Sequence, residues 1–420
     1  MPDWTRSMQQ TFEYHVVDPN TWKDKSQLHI ITGSSIERDS ETDTLGSASI
    51  NMTELVDECY IRIYLITVQD GVREKHTLGT YLVQTPSSSF DGRVRNISAD
   101  AYTPLLELKE NPPPVGFYIR KKENIMEAAY KLVSDHARAP AAETTSSNVL
   151  SYDFVANNDD TWFSFISDLI SNAKHVFDLD ENGRILFAPI QETASLQPVY
   201  TFNDDNSSVL YPDVELDHDL YGIPNVVEII HSTSDRYYTC RVVNDDPDSP
   251  ISTVNRGREI IHREINPEVN GALIEDVVTC YKVEYDKETK TYKATYEEVI
   301  PEDEKALDVK TTSGEKVYSY SRTIEYTDRT EKETGYLIKI KESKELKQYA
   351  IDLLKELSTV NYTVTFTYAY RPIRLGDCVR LNYTAADIIN VKAKIISQSI
   401  KCTPGCPVTA KAVYTEKLWR

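Results

Sequence analysis

The sequence has few of the residue patterns on which enzymes commonly rely. Only 14 glycines occur in 420 residues, and no Gly-x-Gly-x-x-Gly or Gly-x-x-x-x-Gly-Lys pattern is present to cradle a phosphate group. Gly-x-Ser-x-Gly and His-Glu-x-x-His are missing as well. A pair of carboxylates acting on a sugar stays open, because such a pair is defined by its separation in space. We predict no catalytic residue, no cofactor and no enzymatic activity.

Positive charge and long apolar runs are also scarce. The 46 Lys and Arg residues face 66 Asp and Glu residues, which gives a net charge of −20. A field of this sign disfavours binding to DNA or to an anionic membrane, and we predict no sequence-specific nucleic-acid partner. No stretch approaches the roughly 18 apolar residues of a membrane span, and the N-terminus lacks the apolar core of a signal peptide. We expect a soluble protein made in a cytosol, without membrane insertion.

The six cysteines are too sparse for a disulfide scaffold. Four lie singly in strand-like text and are predicted to be buried thiols: Cys59, Cys240, Cys280 and Cys378. Cys402 and Cys406 flank Thr-Pro-Gly, which is typical of a turn between two strands. A zinc site needs four ligands, and no second Cys/His pair accompanies these two. We predict no metal there, and leave open whether the two thiols join in a disulfide.

Residues Asp178–Gly183 partly match a calcium-binding loop. Asp178, Asp180, Asn182 and Gly183 occupy its first, third, fifth and sixth positions. The twelfth position, which must supply a bidentate Glu, is Pro189. The Asn-Gly pair instead suits a hairpin turn that needs positive φ. We therefore predict a β-hairpin between strands at 174–179 and 184–189, without calcium.

The length predicts about two to four domains. Residues 1–110 contain short strand-like runs separated by turn signals, which is typical of a small barrel or sandwich. Four of these runs are clear: Ser47–Met52, Tyr60–Val68, Thr77–Gln84 and Val94–Ala101, with a turn predicted at Ser87–Gly92. The three prolines after Asn111 cannot continue a ladder, so we place the first boundary there.

Helical periodicity appears three times in the rest of the chain. The patterns predict helices over 123–138, over a segment capped by Asp160, and over Lys344–Leu357. The text from 201 onward is again β-like, including predicted strands at Asn225–His231, Tyr237–Val243, Tyr362–Ala369, Asp377–Asn382, Lys392–Ser399 and Val408–Trp419. Between 282 and 347, 14 basic and 16 acidic residues alternate with Tyr and Thr, which indicates an inserted, largely solvated set of hairpins.

Nine stretches, taken in order and spacing, resemble bacteriophage baseplate hub proteins. They are Cys59–Leu65, Leu78–Val83, Asp100–Leu108, Asn124–Tyr130, Asp160–Ile170, Asp180–Phe187, Val242–Pro247, Pro250–Arg258 and Ile373–Leu381. The resemblance covers roughly 1–262 and 342–420.

The resemblance implies a mainly β chain with α+β parts and two tail-tube-like β-barrel domains. The first barrel is placed at 1–111, a small α/β domain with two helices and a hairpin at 112–200, and the second barrel at 201–265 and 342–420. Residues 266–341 are assigned to a charged β-rich insertion.

The implied function is that of a structural hub in a phage tail, or in a phage-derived contractile particle. A homotrimer would join the tail tube or distal tail protein to the central spike and let DNA pass, with the tape-measure protein as a further partner. It would be assembled in the host cytoplasm and lie in the virion baseplate. The alternatives are a tail-associated peptidoglycan hydrolase and a receptor-binding or carbohydrate-binding tail protein that uses its 27 tyrosines.

Overall fold

A computed structural model of the 420-residue chain shows a mainly β protein with five α-helices in its described part. It describes residues 2–90, 92–93, 95–205, 208–232, 237–265, 275–286, 291–296, 309–312, 315–318, 335–340 and 344–419. The chain divides into two compact units, residues 1–218 with 361–415 and residues 219–360 with 416–420. In the described residues no helix is long and apolar enough to cross a membrane.

The first unit contains most of the strands and three helices. Its strands are β1 (Gln9–Val17), β2 (Asp24–Leu28), β3 (Ile31–Asp39), β4 (Gly46–Met52), β5 (Tyr60–Gln69), β6 (Val72–Phe90), β7 (Arg95–Tyr102), β8 (Tyr118–Ile119), β9 (Phe154–Val155), β10 (His175–Leu179), β11 (Ile185–Pro189), β12 (Tyr200–Asn203), β13 (Leu210–His218), β22 (Thr359–Ala369), β23 (Cys378–Tyr383), β24 (Ile388–Lys401) and β25 (Pro407–Lys417). Its helices are α1 (Leu106–Glu110), α2 (Ile125–His136) and α3 (Trp162–Ser171).

The second unit is formed by the chain between β13 and β22, together with the last residues. Its strands are β14 (Val226–Ser232), β15 (Tyr237–Val243), β16 (Ile261–Ile265), β17 (Glu275–Asp286), β18 (Thr291–Tyr296), β19 (Val309–Thr312), β20 (Glu315–Tyr318) and β21 (Gly335–Ile340), and its helices are α4 (Thr253–Arg256) and α5 (Lys344–Leu357).

Thirteen strands of the first unit form one sheet. Its main path is β13-β22-β25-β24-β3-β4-β7-β6-β5-β1-β2, and β23 and β12 continue from β24. One apolar cluster contains buried residues from both parts of this path, among them Ile36, Ile63, Phe366 and Val379. The predicted mainly β fold with α+β parts is confirmed.

Two parts of this sheet repeat the same topology. The first repeat, which comprises β3, β4, β5, β6 and β7, has the spatial order β3-β4-β7-β6-β5. The second repeat, which comprises β13, β22, β23, β24 and β25, has the order β13-β22-β25-β24-β23. If the five strands of each repeat are numbered by their order in the chain, both repeats have the spatial order 1-2-5-4-3. The duplication is the topology expected of two similar β domains, while the predicted domain boundaries stay a prediction.

The two helices of the small α/β segment cover a second core. The Asn124 side chain caps α2 by accepting from two backbone N–H groups, and the Thr161 hydroxyl accepts from Ser164 N–H at the start of α3. The predicted cap at Asp160 is therefore wrong by one residue. Buried apolar side chains of both helices pack with those of β10 and β11, including Phe177 and Phe187.

In the second unit, α5 has the predicted bounds and packs on a three-stranded sheet. Its buried residues Leu346, Ala350 and Leu354 contact Val227 and Ile229 of β14. This sheet has the order β15-β14-β16 and, within the described residues, pairs with no strand of the 13-stranded sheet. A separate five-stranded sheet, in the order β19-β20-β18-β17-β21, falls within the predicted insertion 266–341. The remainder of that insertion lies outside the described residues.

Candidate functional site

The partial calcium motif forms the tip of a β-hairpin. Strands β10 and β11 pair in antiparallel register from His175↔Pro189 to Leu179↔Ile185. The Asp180 carboxylate accepts from the Arg184 backbone N–H at 2.8 Å, and Gly183 has a φ of +76°. The predicted hairpin is confirmed, and a glycine relieves the strain of its left-handed turn position.

The tip is bound by three side chains from the strands β5 and β6 and from the loop between β1 and β2, and two of them bind its backbone. The carbonyl oxygen of Asn182 accepts from Trp22 Nε1 at 2.7 Å and from Arg62 Nη2 at 3.1 Å. The Thr77 hydroxyl donates to Asn182 Oδ1 at 3.3 Å. Two of these three contacts go to the backbone oxygen of residue 182, which any residue type would provide, so sequence reasoning that looked for ligands at Asn182 missed this role.

Arg374, in the loop before β23, holds the same hairpin from the second repeat. Its Nη2 donates to the Leu179 carbonyl oxygen at 2.6 Å, and its Nε lies 3.1 Å from Glu181 Oε1. The Asp178 carboxylate lies 3.5 Å from Arg374 Nη2. Burial raises the pKa of Asp178 above its ordinary value even though Arg374 acts in the opposite direction.

Gly183 also allows the hairpin to approach the sheet closely. A Cβ atom on Gly183 would lie 2.9 Å from the Thr80 Cβ and 3.3 Å from the Trp22 ring. Carbon atoms at that distance repel each other strongly, so a side chain here would displace the tip. Glycine is needed at this position for space as well as for its φ.

The four motif residues do not converge on a common point as calcium ligands would. Asp178 faces Arg374, Asp180 caps the turn and Asn182 faces Thr77. Among the described residues, no group of three or more His, Cys, Asp or Glu side chains is placed to hold a metal ion. The absence of calcium itself stays a prediction.

A cavity of about 380 Å³ next to the hairpin contains two carboxylates, Asp178 and Asp377. Burial raises the pKa of Asp377, as it does that of Asp178. Asp377 accepts the Arg374 backbone N–H and Asp178 accepts the Leu179 backbone N–H, each at 2.8 Å. Each bond ties its carboxylate to a backbone N–H group that is close to it in the sequence.

The two repeats meet side by side where β3 pairs with β24. The antiparallel register runs from Ser35↔Lys401 to Asp39↔Ser397, and Ile36 and Ile400 are opposite each other and fully buried. Ser399 Oγ donates to the Glu37 carboxylate at 2.5 Å. This strand pair, which we call the joint, makes one continuous sheet out of the two repeats.

A polar cluster centred on Asp24 lies on the first repeat and its neighbouring strands. The carboxylate accepts from the Tyr64 hydroxyl at 2.8 Å and from Arg62 Nη1 at 3.1 Å, and it lies 3.5 Å from Lys75 Nζ. Burial alone would raise the pKa of Asp24, but the Tyr64 hydroxyl, Arg62 and Lys75 together lower it. The cluster ties β2 to β5 and β6 and is therefore a stabilising contact.

Cys402 and Cys406 lie in the turn between β24 and β25, as predicted. The two strands are antiparallel neighbours, and both cysteines are buried free thiols. Burial raises the pKa of Cys402 to about 11 and also raises that of Cys406. A thiol with a raised pKa is a poor nucleophile, which fits a packing role for both residues. Of the four cysteines predicted to be buried, Cys240 and Cys378 are buried and Cys59 is half-buried. The side chain of Cys280 lies outside the described residues.

The fold as a whole is similar to that of phage tail proteins. The tail protein from Neisseria meningitidis MC58 superposes with a TM-score of 0.55 at 10% identity, over 96% of each chain. The 43 kDa tail protein of prophage MuSo2 from Shewanella oneidensis gives a TM-score of 0.55 at 10% identity, over 96% of this chain and 98% of the other. No protein-family model and no curated protein matches the sequence.

Proposed function

We propose that this protein is a structural component of a phage-tail baseplate, and that it acts as a hub which joins the tail tube to the central spike. The observation that carries the proposal is the pair of β repeats, which have one strand order and are joined side by side into one sheet. The likeness in fold to two phage tail proteins over nearly the whole chain supports it.

The same observation supports a homotrimer. A tube of sixfold symmetry can rest on a ring of six similar β domains, and a chain with two repeats provides six in three copies. Closed rings of this kind leave no sheet edge exposed to other proteins. The ring would leave a central hole for DNA, and the net charge of −20 would disfavour adhesion of the phosphate backbone.

The mass and shape of the assembly test this proposal. The full-length protein, studied at micromolar concentration by native mass spectrometry and negative-stain electron microscopy, should form a ring of three chains with a central hole. Addition of the purified spike of the same particle should increase the share of this ring. A sixfold ring, or a stable complex of one chain with one spike chain, would contradict the hub.

We propose no catalytic role for the chain. The carboxylates in the cavity beside the hairpin are bonded to backbone N–H groups, which is a structural use. In a zymogram with peptidoglycan, the purified protein should leave the substrate intact. Clearing that disappears in an Asp178→Asn or Asp377→Asn variant would favour the hydrolase alternative instead.

A further inference from the structure

The repeat topology allows strand positions in one repeat to be matched to those in the other. Strands β6 and β7 share a register shift between Val83 and Thr85, and β24 and β25 share one between Ile395 and Ser397. On both sides of the shift, the residues of each strand pair are matched one to one, and the two strand pairs have the same spacing around the shift. Position 88 in β6 therefore corresponds to Ile400 in β24, and position 87 corresponds to Ser399.

The partner strands match in the same way. Strand β3 shifts register just after Ile31, and β13 shifts just after Leu210. Beyond the shift, Ser34 pairs with Ile50 and Val214 pairs with Phe366. Two residues further along each strand, Ile36 of β3 corresponds to Leu216 of β13.

Among the described strands, one of the two equivalent joints is formed within the chain and the other is not. Strand β24 pairs with β23 up to Lys394 and then with β3 from Ser397 to Lys401. Strand β6 pairs with β5 up to Leu82, but among the described strands none takes the same side of β6 from Thr85 to Phe90. Strand β13, the counterpart of β3, likewise has one described neighbour, β22.

The exposure of the two strands agrees with an unfilled joint. Leu216 is 37% exposed, whereas its counterpart Ile36 is fully buried in the joint. Phe90, at the end of the free segment of β6, is 70% exposed. Unpaired strands with apolar side chains are templates for pairing with another chain.

We infer that β13 of one copy of this chain pairs in antiparallel register with Thr85–Phe90 of β6 in a second copy, with Leu216 opposite Ser88. This inference deepens the proposed function and rests on it, because it names the contact through which the chains of the ring meet. The contact is head-to-tail, since β13 and β6 are different surfaces, and such contacts generate rings when the rotation closes.

The side chains at the matched positions are suited to this pairing. Asp217 corresponds to Glu37 and Ser87 to Ser399, so the Ser87 hydroxyl would donate to the Asp217 carboxylate as Ser399 does to Glu37. Pro86 corresponds to Gln398 and has no N–H, which removes one ladder bond and limits the pairing to a short stretch. The joint between chains would therefore be weaker than the joint within the chain.

A disulfide trap tests the register. Ser87→Cys and Asp217→Cys, introduced together into the full-length protein, should give covalent oligomers when diamide oxidises the paired thiols and is itself reduced. Each single variant and the wild type, which carries the native cysteines, should remain uncrosslinked. The mismatched pair Ser87→Cys and Asp213→Cys is displaced by four residues, or about 13 Å along the strand, and should give far less product.

The outcomes separate this inference from the hub itself. Covalent species that end at three chains support both. A ladder that continues beyond three supports the strand pairing and contradicts the trimer. A trimer by mass without crosslinking, or a monomer without crosslinking, overturns the pairing.

A second variant tests the joint without relying on a disulfide. Leu216→Asp should abolish the covalent oligomer in the Ser87→Cys and Asp217→Cys background, because it places a charge where its counterpart Ile36 is buried. Ile389→Asp alters an isoleucine that is 65% exposed at the start of β24 and should leave the oligomer intact. Equal losses in both variants would overturn the pairing, and circular dichroism confirms that each variant is folded.

Discussion

Arg374 and Leu179 are 195 positions apart in the chain, yet Arg374 Nη2 donates a hydrogen bond of 2.6 Å to the Leu179 carbonyl oxygen. The arginine lies just before β23 of the second repeat, and the leucine ends β10 of the small α/β segment. The same hairpin is held from the other side by Trp22 and Arg62. The hairpin tip therefore ties the small segment to the 13-stranded sheet.

Arg374→Ala should lower the free energy of unfolding by about 1–2 kcal/mol, because it removes a charge-assisted bond and leaves two carboxylates without their cation. The side chains are about one third exposed, so solvent screening keeps the cost below that of a fully buried pair. Urea unfolding of the variant and the wild type measures this difference in the free energy of unfolding. Arg6→Ala breaks a pair that is mostly exposed and should cost no more than about 0.5 kcal/mol. Equal costs would show that the hairpin contact is not stabilising.

Gly183→Ala should destabilise the protein by about 2–4 kcal/mol, since strain at positive φ adds to the contact with Thr80. Gly116 is the matched control, because its φ is +77° and, apart from its own atoms and those of its two chain neighbours, no atom of the described residues lies within 4 Å of the position of a Cβ. Gly116→Ala should cost only about 1 kcal/mol. Comparable unfolding midpoints for the two variants would mean that close approach does not matter at the tip.

The elements with strong periodicity were predictable from the sequence. Helix α5 has the predicted bounds, and the Asn-Gly hairpin forms where its turn chemistry placed it. Strand β6 was not fully predicted, because the serines at 87–89 resemble a turn while the structure extends the strand to Phe90. Those serines pair with β7, and ladder bonds with a neighbouring strand outweigh their local preference for turns.

The contacts between distant segments could not be predicted from the sequence. Trp22 and Arg62 carry no local signal for a partner at Asn182, which lies more than 100 positions away. The internal repeat is also hidden, because the matched positions Ile36 and Leu216, or Ile400 and Ser88, share backbone geometry and not residue type. A topology that is specified by pairing register tolerates such substitutions.

Two aspartates should give opposite dependences of stability on pH. Asp24 has a lowered pKa, so its contribution is present at neutral pH and is lost as the pH falls below its ordinary value of 3.8. Asp24→Asn should therefore destabilise the protein near pH 7, and the difference from the wild type should shrink in acid. Chemical unfolding of both proteins between pH 7 and pH 3 measures this difference in stability. A constant difference would show that the charge of Asp24 is not the cause.

Asp178 has a raised pKa, so its protonated form is favoured in the folded state and the associated stability is lost as the pH rises through that pKa. Asp178→Asn should thus cost little near pH 7, or stabilise slightly, and should become relatively less favourable in acid. The same unfolding series provides the comparison. A large loss of stability at pH 7 would mean that its pairing with Arg374 outweighs the cost of burial.

Calcium should not bind at the hairpin tip. The Asp180 carboxylate is occupied by the Arg184 N–H, and Asp178 and Asn182 face Arg374 and Thr77. Calorimetric titration of the full-length protein with calcium chloride should show no saturable heat from this loop. A micromolar site that disappears in Asp180→Ala would refute the expectation, and Asp153→Ala is a control for non-specific loss of an acidic residue.

The segment 266–341 should be dispensable for the folding of the rest of the chain. Its described strands β17 to β21 pair only with one another among the described strands, so their removal breaks no ladder bond of the other sheets. The cluster beneath α5 is formed by β14, β15 and the helix, and every residue in its buried part lies outside the deleted range.

Replacement of 266–341 by a short Gly/Ser linker should leave a soluble protein with an unfolding midpoint in urea close to that of the wild type. The control replaces 112–199 in the same way, which removes the hairpin contacts and should lower the midpoint. Aggregation of the first variant, or equal shifts in both, would show that the inserted strands are integral to the fold.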